Sequence, residues 1–345
     1  MKVRDIIYEV NYKRQSQLEL LLPGKTGLMV NDLKIIFFGT PDFAVPALKS
    51  LINFGYNIEA VITQPEKPVG RAKVILPSPV KKTALEHTIK VFEPHSLKKD
   101  EEFFKQFKHL NPDLCVVAAY GKIIPSQYLE VPKYGFINIH PSLLPKYRGP
   151  SPIQTAILNG DDETGVTIMK VDSEVDHGPT LSFVKHSVSN KDYKELESEL
   201  AKLGAELLID TISKYLNGEI KRQEQDHSQA TFTKMFSHED GKIDWNKPAE
   251  KTYNQIRALN PEPGTWTIWN SKVLKIIKAK IYDKQPYHEH ENIYIGVVYK
   301  ENGDVFIPCS VSHIEPEIVQ LEGKKAVDIK SFVNGQPKFV GSKLE

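Results

Sequence analysis

The sequence predicts an α/β protein, a doubly wound sheet domain followed by a smaller β-rich domain, on three observations. First, 345 residues are too many for one small core and natural for two domains. Second, apolar runs of strand length alternate with helical-period segments through the first two thirds of the chain, the order that builds a sheet with helices on its faces. Third, beyond a polar stretch near residue 221 the pattern changes to short strands parted by turns, which suits a small barrel. The composition, 40% hydrophobic and 26% charged, is that of an ordinary soluble globular protein. No run of about eighteen apolar residues is present, so no membrane partner is expected. A net charge of +1 leaves any nucleic-acid footprint to local patches. Cys115 and Cys309 lie far apart, and no disulfide framework or Cys/His metal spacing appears. A cytoplasmic protein without a metal is expected, and a monomer.

Residues 1–32 read as an N-terminal extension outside either domain, expected to be disordered. Its one apolar run, Leu18 to Leu22, is cut by Pro23-Gly24 and is too short and wrongly flanked for a secretory signal. Asp5, Glu9 and Glu19 count against a mitochondrial presequence. Met29 comes just before the first strand, so either it is the start or 1–28 is a dispensable extension.

Lys34-Ile-Ile-Phe-Phe-Gly39 reads as a buried parallel strand, and Gly39 allows the tight turn after it. Thr40 or Asp42 can cap the next helix, with Pro46 tolerated in its first turn. Phe43, Ala47, Leu48, Leu51 and Ile52 give that helix a core face, and Gly55 ends it. Ile58 to Thr63 completes a βαβ unit without G-x-G-x-x-G, so a dinucleotide is not expected. Gln64 to Lys82 is long for a βα connection and stiffened by prolines. It carries Lys67, Arg71, Lys73, Lys81 and Lys82 against Glu66 alone. A solvated surface loop and a functional insertion both fit it.

Ile89 to Phe92 and Asp113 to Tyr120 continue the sheet, and Gly121 leads to a helix near Pro125 to Leu129. A strand from Phe136 places Asn138 and His140 on one face and Ile137 and Ile139 on the other. It ends at Pro141, which has no ladder donor. Ser142-Leu-Leu-Pro145 turns stiffly, Tyr147 to Pro152 continues as loop, and a helix runs from about Ile153 to Leu158. Gly165 to Val171 is a strand that feeds the loop bearing Asp172 and Asp176, and Leu181 to Val184 returns. A helix from about Asp192 to Leu216 repeats apolar residues at helical spacing, with Gly218 as its stop. Together these make one doubly wound domain over 33–219.

Residues 220–238 are polar and read as a linker. The second domain, 239–345, opens at Asp244-Trp245 with a helix from Pro248 to Ala258. Strands follow over Trp266 to Trp269, Val273 to Tyr282, Tyr294 to Tyr299, Val305 to Cys309 and Ile314 to Leu321. Lys272, Lys275, Lys278 and Lys280 make one strand basic, while acids and bases balance over the domain. A solvated edge strand and an RNA-binding face both fit.

Asn138 and His140 stand side by side where an open sheet binds ligands. An Asn N–H can stabilise an oxyanion and a His can handle a proton, which suits acyl transfer without a covalent enzyme intermediate. Such a pair calls for a carboxylate, and Asp176 is the downstream candidate. Asn138-x-His140-x-Ser142-Leu143-Leu144-Pro145, followed by Asp176-x-Gly178, resembles the formyltransferases that use 10-formyltetrahydrofolate. Gly39-Thr-Pro-Asp-Phe-Ala44 is similar to that family's opening. The resemblance implies that Asn138, His140 and Asp176 are catalytic, that Ser142, Leu143, Leu144 and Pro145 lie against the folate co-substrate, and that the N-terminal domain is Rossmann-like. His177 stands where the family commonly has Thr.

Pro68-x-Gly70-Arg71-x-Lys73 resembles the family members that act on charged initiator tRNA. So do the segment from Arg257 to Trp266 and Gly323-Lys-Lys-Ala326. This implies that Arg71, Lys73, Lys67 and Lys81 contact the tRNA and that 239–345 is an OB-like β-barrel that binds it. The implied reaction puts a formyl group on the α-amine of methionine carried by initiator tRNA, for translation initiation. A formyltransferase for a small amine would keep the trio without needing the basic loop. A non-catalytic RNA-binding protein would use the barrel and leave the trio unexplained.

Overall fold

Strand and helix alternate from the first apolar run onward: β1 (Lys34–Gly39), α1 (Val45–Asn53), β2 (Asn57–Ile62), the hairpin β3 (Pro68–Val69) and β4 (Val74–Ile75), and α2 (Pro79–Glu86). Then come β5 (Val91–Phe92), α3 (Glu101–Leu110), β6 (Leu114–Ala118), α4 (Ser126–Leu129), β7 (Phe136–His140), α5 (Pro152–Asn159), β8 (Glu163–Lys170), β9 (Thr180–Ser187) and α6 (Tyr193–Leu216). The computed structural model describes residues 32–66, 68–69, 74–282 and 293–345. The expectations for 1–28 and Met29, and for Lys67, Arg71 and Lys73, lie outside the described residues.

By internal packing the chain divides into two units. The first holds the described residues up to Gly149, with Gly165–His186 and Ser198–Phe232. The second holds Pro150–Thr164, Ser187–Glu197 and Thr233–Glu345.

A seven-stranded sheet in the order β5-β2-β1-β6-β7-β8-β9 organises the first unit. Ile35, Ile36, Phe37 and Phe38 of β1 are fully buried, as a central strand covered on both faces must be. The order reverses between β1 and β6, both parallel to their neighbours, so the connections leaving their paired C-terminal ends diverge there and leave a crevice. On one face Phe38, Phe107, Tyr120, Tyr128 and Phe136 pack together, with Phe38 and Tyr120 edge to face at 5.3 Å. The leucine stripe of α6 is buried at Leu196, Leu200 and Leu208. Gly204 lets that helix approach closely, because a Cβ there would fall 2.8 Å from Ile139 Cγ2.

The sheet is not parallel throughout. β8 runs antiparallel to β7, pairing His140 with Thr167 and Ile137 with Lys170. The chain leaves β7 and re-enters β8 at the same end of the sheet, so no crossover helix is needed between them. The basic connection after β2 also holds more structure than a loop: its last residues start α2. Pro79 occupies the first turn, where its missing N–H costs nothing, and the Ser78 side chain accepts from Lys81 N at 3.1 Å.

In the second unit α7 (Ala249–Leu259) precedes β10 (Trp266–Trp269), β11 (Lys272–Tyr282), β12 (Tyr299–Glu301), β13 (Asp304–Pro308), β14 (His313–Leu321), β15 (Val327–Asp328) and α8 (Ile329–Gly335). The strands form an antiparallel sheet, β10-β11-β14-β13-β12 with β15 on β14, over a core including Trp245, Trp269, Ile276, Phe332 and Phe339. The expected strand from Tyr294 to Tyr299 is found instead at Tyr299–Glu301, preceded by a turn in which Gly296 takes φ +76°. β11 lies inside the sheet rather than at its edge, and Lys280 and Lys278 meet Glu315 and Glu317 across the strand at 3.2 and 3.8 Å. Among the described residues no helix is long and apolar enough to cross a membrane.

Candidate active site

Strand β7 and the loops that follow β7 and β8 bring three side chains together. Asn138 and His140 share a face of the strand, as the two-residue period requires, and Asp176 reaches them from the loop after β8. Asn138 Nδ2 donates to Asp176 Oδ1 at 3.3 Å, and His140 Nδ1 lies 3.5 Å from the same oxygen. Gly149 N donates to the other carboxylate oxygen, Oδ2, at 2.8 Å. The far side of the imidazole is fixed as well, since His140 Nε2 donates to Tyr147 O at 2.9 Å. His140 is 4% exposed, whereas Asn138 is half-buried and opens to solvent. Asp176 adopts φ +49°, a left-handed backbone that an Asp tolerates better than most residues.

Close backbone approach shapes the carboxylate loop. A Cβ at Gly178 would fall 2.0 Å from Lys170 O, so only glycine lets the loop fold back on the end of β8. Lys170 N then donates to Pro179 O at 2.8 Å. Burial pushes the Lys170 ammonium pKa down, with the charge of Arg222 adding to the effect.

The structure joins further residues to this centre. The polar stretch read as a linker includes residues 223–231, which lie along both loops of the first unit. Gln225 Nε2 donates to Asp176 O and Gly178 O at 2.9 and 2.7 Å, and its Oε1 accepts from Arg148 Nε and Nη2 at 3.1 and 2.7 Å. Arg148 Nη2 also donates to His227 Nδ1 at 2.8 Å. The His227 ring stacks on His177 with centroids 4.1 Å apart and planes 3° from parallel, and His177 Nδ1 donates to Asp172 Oδ2 at 2.7 Å. Neither Gln225 nor Arg148 was legible in the sequence as a neighbour of the trio. Arg148 sits in a loop triplet, Tyr-Arg-Gly, whose burial no periodicity reveals.

The turn from Ser142 to Pro145 is built around its own polar atoms. Ser142 is fully buried, its Oγ donates to Lys146 O at 2.6 Å, and its carbonyl accepts from Thr167 Oγ1 at 2.7 Å. Leu144 N donates to Thr167 Oγ1 at 3.2 Å, and Leu143, Leu144 and Pro145 remain half-buried. At the crevice between β1 and β6, Thr40 Oγ1 and Gln64 Nε2 both donate to Tyr120 O, at 3.2 and 2.8 Å. Lys81, the described residue of the expected tRNA set, is held between Glu66 and Glu93 at 2.6 Å each. Among the described residues no three His, Cys, Asp or Glu side chains are grouped to hold a metal ion.

Comparison with known proteins shows the family. Residues 33–212 match the family described as formyl transferase, and 235–337 match the formyl transferase C-terminal domain. The methionyl-tRNA formyltransferase of Caldanaerobacter subterraneus is 41% identical over 306 residues, 88% of this chain and 97% of that one. The methionyl-tRNA formyltransferase of Clostridium novyi is 38% identical over 314 residues, 91% of this chain and 100% of that one. Among solved structures, HypX from Aquifex aeolicus superposes with a TM-score of 0.62 at 14% identity, over 89% of this chain and 50% of that one. An N-formyltransferase from Helicobacter canadensis, solved with folinic acid and dTDP-3-aminofucose, has a TM-score of 0.61 at 19% identity, covering 82% of this chain and 99% of that one. At those identities the two structures establish likeness of fold alone.

Proposed function

The chain belongs to the methionyl-tRNA formyltransferases, within the formyl transferase family, and from that premise we propose that Asn138, His140 and Asp176 are its transfer centre. The observation that carries this reading is the meeting of an amide, an imidazole and a carboxylate within 3.5 Å at the C-terminal end of β7. The co-substrate, 10-formyltetrahydrofolate, supplies an activated formyl group. The residues present fit it: the half-buried Leu143, Leu144 and Pro145 offer apolar surface beside the trio. Ser142, turned inward, holds that turn in shape.

The acceptor is the α-amine of methionine, whose pKa near ~7.7–8.0 leaves an appreciable neutral fraction at physiological pH. Asn138 uses one amide hydrogen on Asp176 and has the other for the charge that develops on the formyl oxygen. Asp176 orients His140, and the two relay the proton that the amine loses toward the tetrahydrofolate nitrogen, whose bond to the formyl carbon breaks as the new C–N bond forms. Tyr147 O holds the far nitrogen, so the ring keeps one orientation. No Ser or Cys nucleophile is called for: the Ser142 hydroxyl is spent within its turn, and Cys115 is buried with its thiol pKa pushed up by desolvation.

Residues 33–219 form the catalytic domain in this reading, 220–238 connect it to the rest, and 239–345 form an OB-like β-barrel that binds tRNA. Arg71, Lys67 and Lys73 contact the charged initiator tRNA, and Lys81, tied to Glu66 and Glu93, stiffens the base of their loop. The enzyme acts in the cytoplasm as a monomer, without a metal.

The test is formyl transfer to charged initiator tRNA, run beside a panel of small amines and repeated with Asn138→Ala. Turnover should be confined to the charged tRNA and fall roughly 10²–10³-fold in the variant, with its melting curve unchanged. Near-normal turnover by folded Asn138→Ala would remove Asn138 from the centre. Preference for a small amine would overturn the tRNA reading.

A further inference from the structure

Asp176 is held weakly by its own catalytic partners. Its contacts with Asn138 and His140 are 3.3 and 3.5 Å, while its short contact is the 2.8 Å bond from the backbone of Gly149. Its backbone is left-handed, a conformation that persists only where surrounding structure enforces it. The carboxylate is therefore placed by whatever holds the backbones of 147–149 and 176–178.

One short stretch grips both. Gln225 is 6% exposed, while its neighbours Glu224 and Asp226 are exposed. Its amide makes four hydrogen bonds: both Nε2 hydrogens go to the carbonyls of Asp176 and Gly178, and Oε1 takes two from Arg148. Arg148 is 4% exposed, so this charged side chain is turned inward toward neutral acceptors. Six residues on, Thr231 takes hold of the other loop. Its Oγ1 accepts from Tyr147 N at 2.8 Å, and its carbonyl accepts from Arg148 N at 2.9 Å. That loop in turn presents Tyr147 O to His140 and Gly149 N to Asp176.

We propose that Gln225, Arg148 and Thr231 form a latch in which residues 223–231 set the positions of Asp176 and His140 for transfer. The proposal rests on the reading of Asp176 as the catalytic carboxylate. The latch residues are positioning residues; they act through the two backbones and need not touch substrate. Gln225 supplies what no charged residue could, two donors and two acceptances in one plane, which suits a site flanked by two carbonyls and a guanidinium.

Two substitutions separate positioning from folding. Gln225→Glu keeps an acceptor for Arg148 but sets an oxygen against the carbonyls of Asp176 and Gly178. Thr231→Val keeps the shape of an exposed side chain and removes the bond from Tyr147 N, so it does not threaten the fold. A misplacement on the scale of an ångström costs up to about 10²-fold in rate, so kcat should fall about 10–100-fold in Gln225→Glu. Thr231→Val, losing one bond, should lose about 3–10-fold, with KM for charged tRNA and for 10-formyltetrahydrofolate within about 3-fold in both. In an Asp176→Asn background both penalties should largely vanish, because Asp176 and His140 act as a unit that this substitution already disables.

Unchanged kcat in the variants, or penalties that persist in full beside Asp176→Asn, would overturn the latch. Should Gln225→Glu fail to fold, Thr231→Val decides on the same two criteria. Failure of the catalytic reading looks different: Asp176→Asn alone would then keep near-normal turnover. A crippled Asp176→Asn with undisturbed latch variants would reject only the latch.

Discussion

At the scale of single residues, the centre couples groups that cannot be valued one at a time. Asp176 Oδ1 faces both Asn138 and His140, so removing the carboxylate alters the surroundings of both. Asp176→Asn and His140→Ala should each be strongly damaging, and the double variant should cost far less than the two losses combined, measured as single-turnover rates. Asn138 and His140 were legible in the sequence because strand periodicity alone puts them on one face at a strand end. Gln225 was not: one amide in a polar run carries no signal of its burial or of its four hydrogen bonds. Asp240 offers a separate pH test. Its bonds with Lys234 and the Ser237 backbone push its carboxyl pKa from 3.8 down to about 2. A depressed folded pKa contributes stability above the unfolded value and loses it as pH falls through the folded one. Asp240→Asn should therefore be less stable than the parent at pH 7 in urea titrations, and the gap should narrow as pH drops from 3.8 toward about 2.

At the scale of elements, the proline-rich connection shows why sequence punctuation can mislead. Pro77 and Pro79 mark a loop when taken by count, yet Pro79 is the helix-compatible first-turn proline of α2. The cap confirms the start: Ser78 Oγ lies 2.9 Å from Thr63 Oγ1 and accepts from Lys81 N. Ser78→Ala should lower stability by about 1 kcal/mol, read as a shift of the urea midpoint at constant slope. The long strands and α6 were legible because period and length agree over many residues. The direction of β8 was not, because a strand's composition does not record which way its partner runs, and only the connection through α5 decides it.

At the scale of the whole molecule, the two formyl transferase domains account for nearly all of the chain beyond residue 32. The substrate is large and anionic, so the basic connection after β2 is where a tRNA-acting enzyme should differ from one acting on a small amine. Arg71→Ala should weaken formylation of charged tRNA strongly and leave 10-formyltetrahydrofolate binding unchanged. The slope of log affinity against log salt should become shallower by about one, because one phosphate contact is lost. Equal activity and an equal slope would take Arg71 out of tRNA recognition. The grip of Gln225 and Thr231 on loops that precede them by some fifty to eighty residues has a consequence for synthesis. A nascent chain that has left the ribosome only as far as Leu216 displays Asn138, His140 and Asp176 but none of the segment that fixes their loops. On the proposed latch, the trio can take its working geometry only late in translation, once residue 231 is free to close behind it.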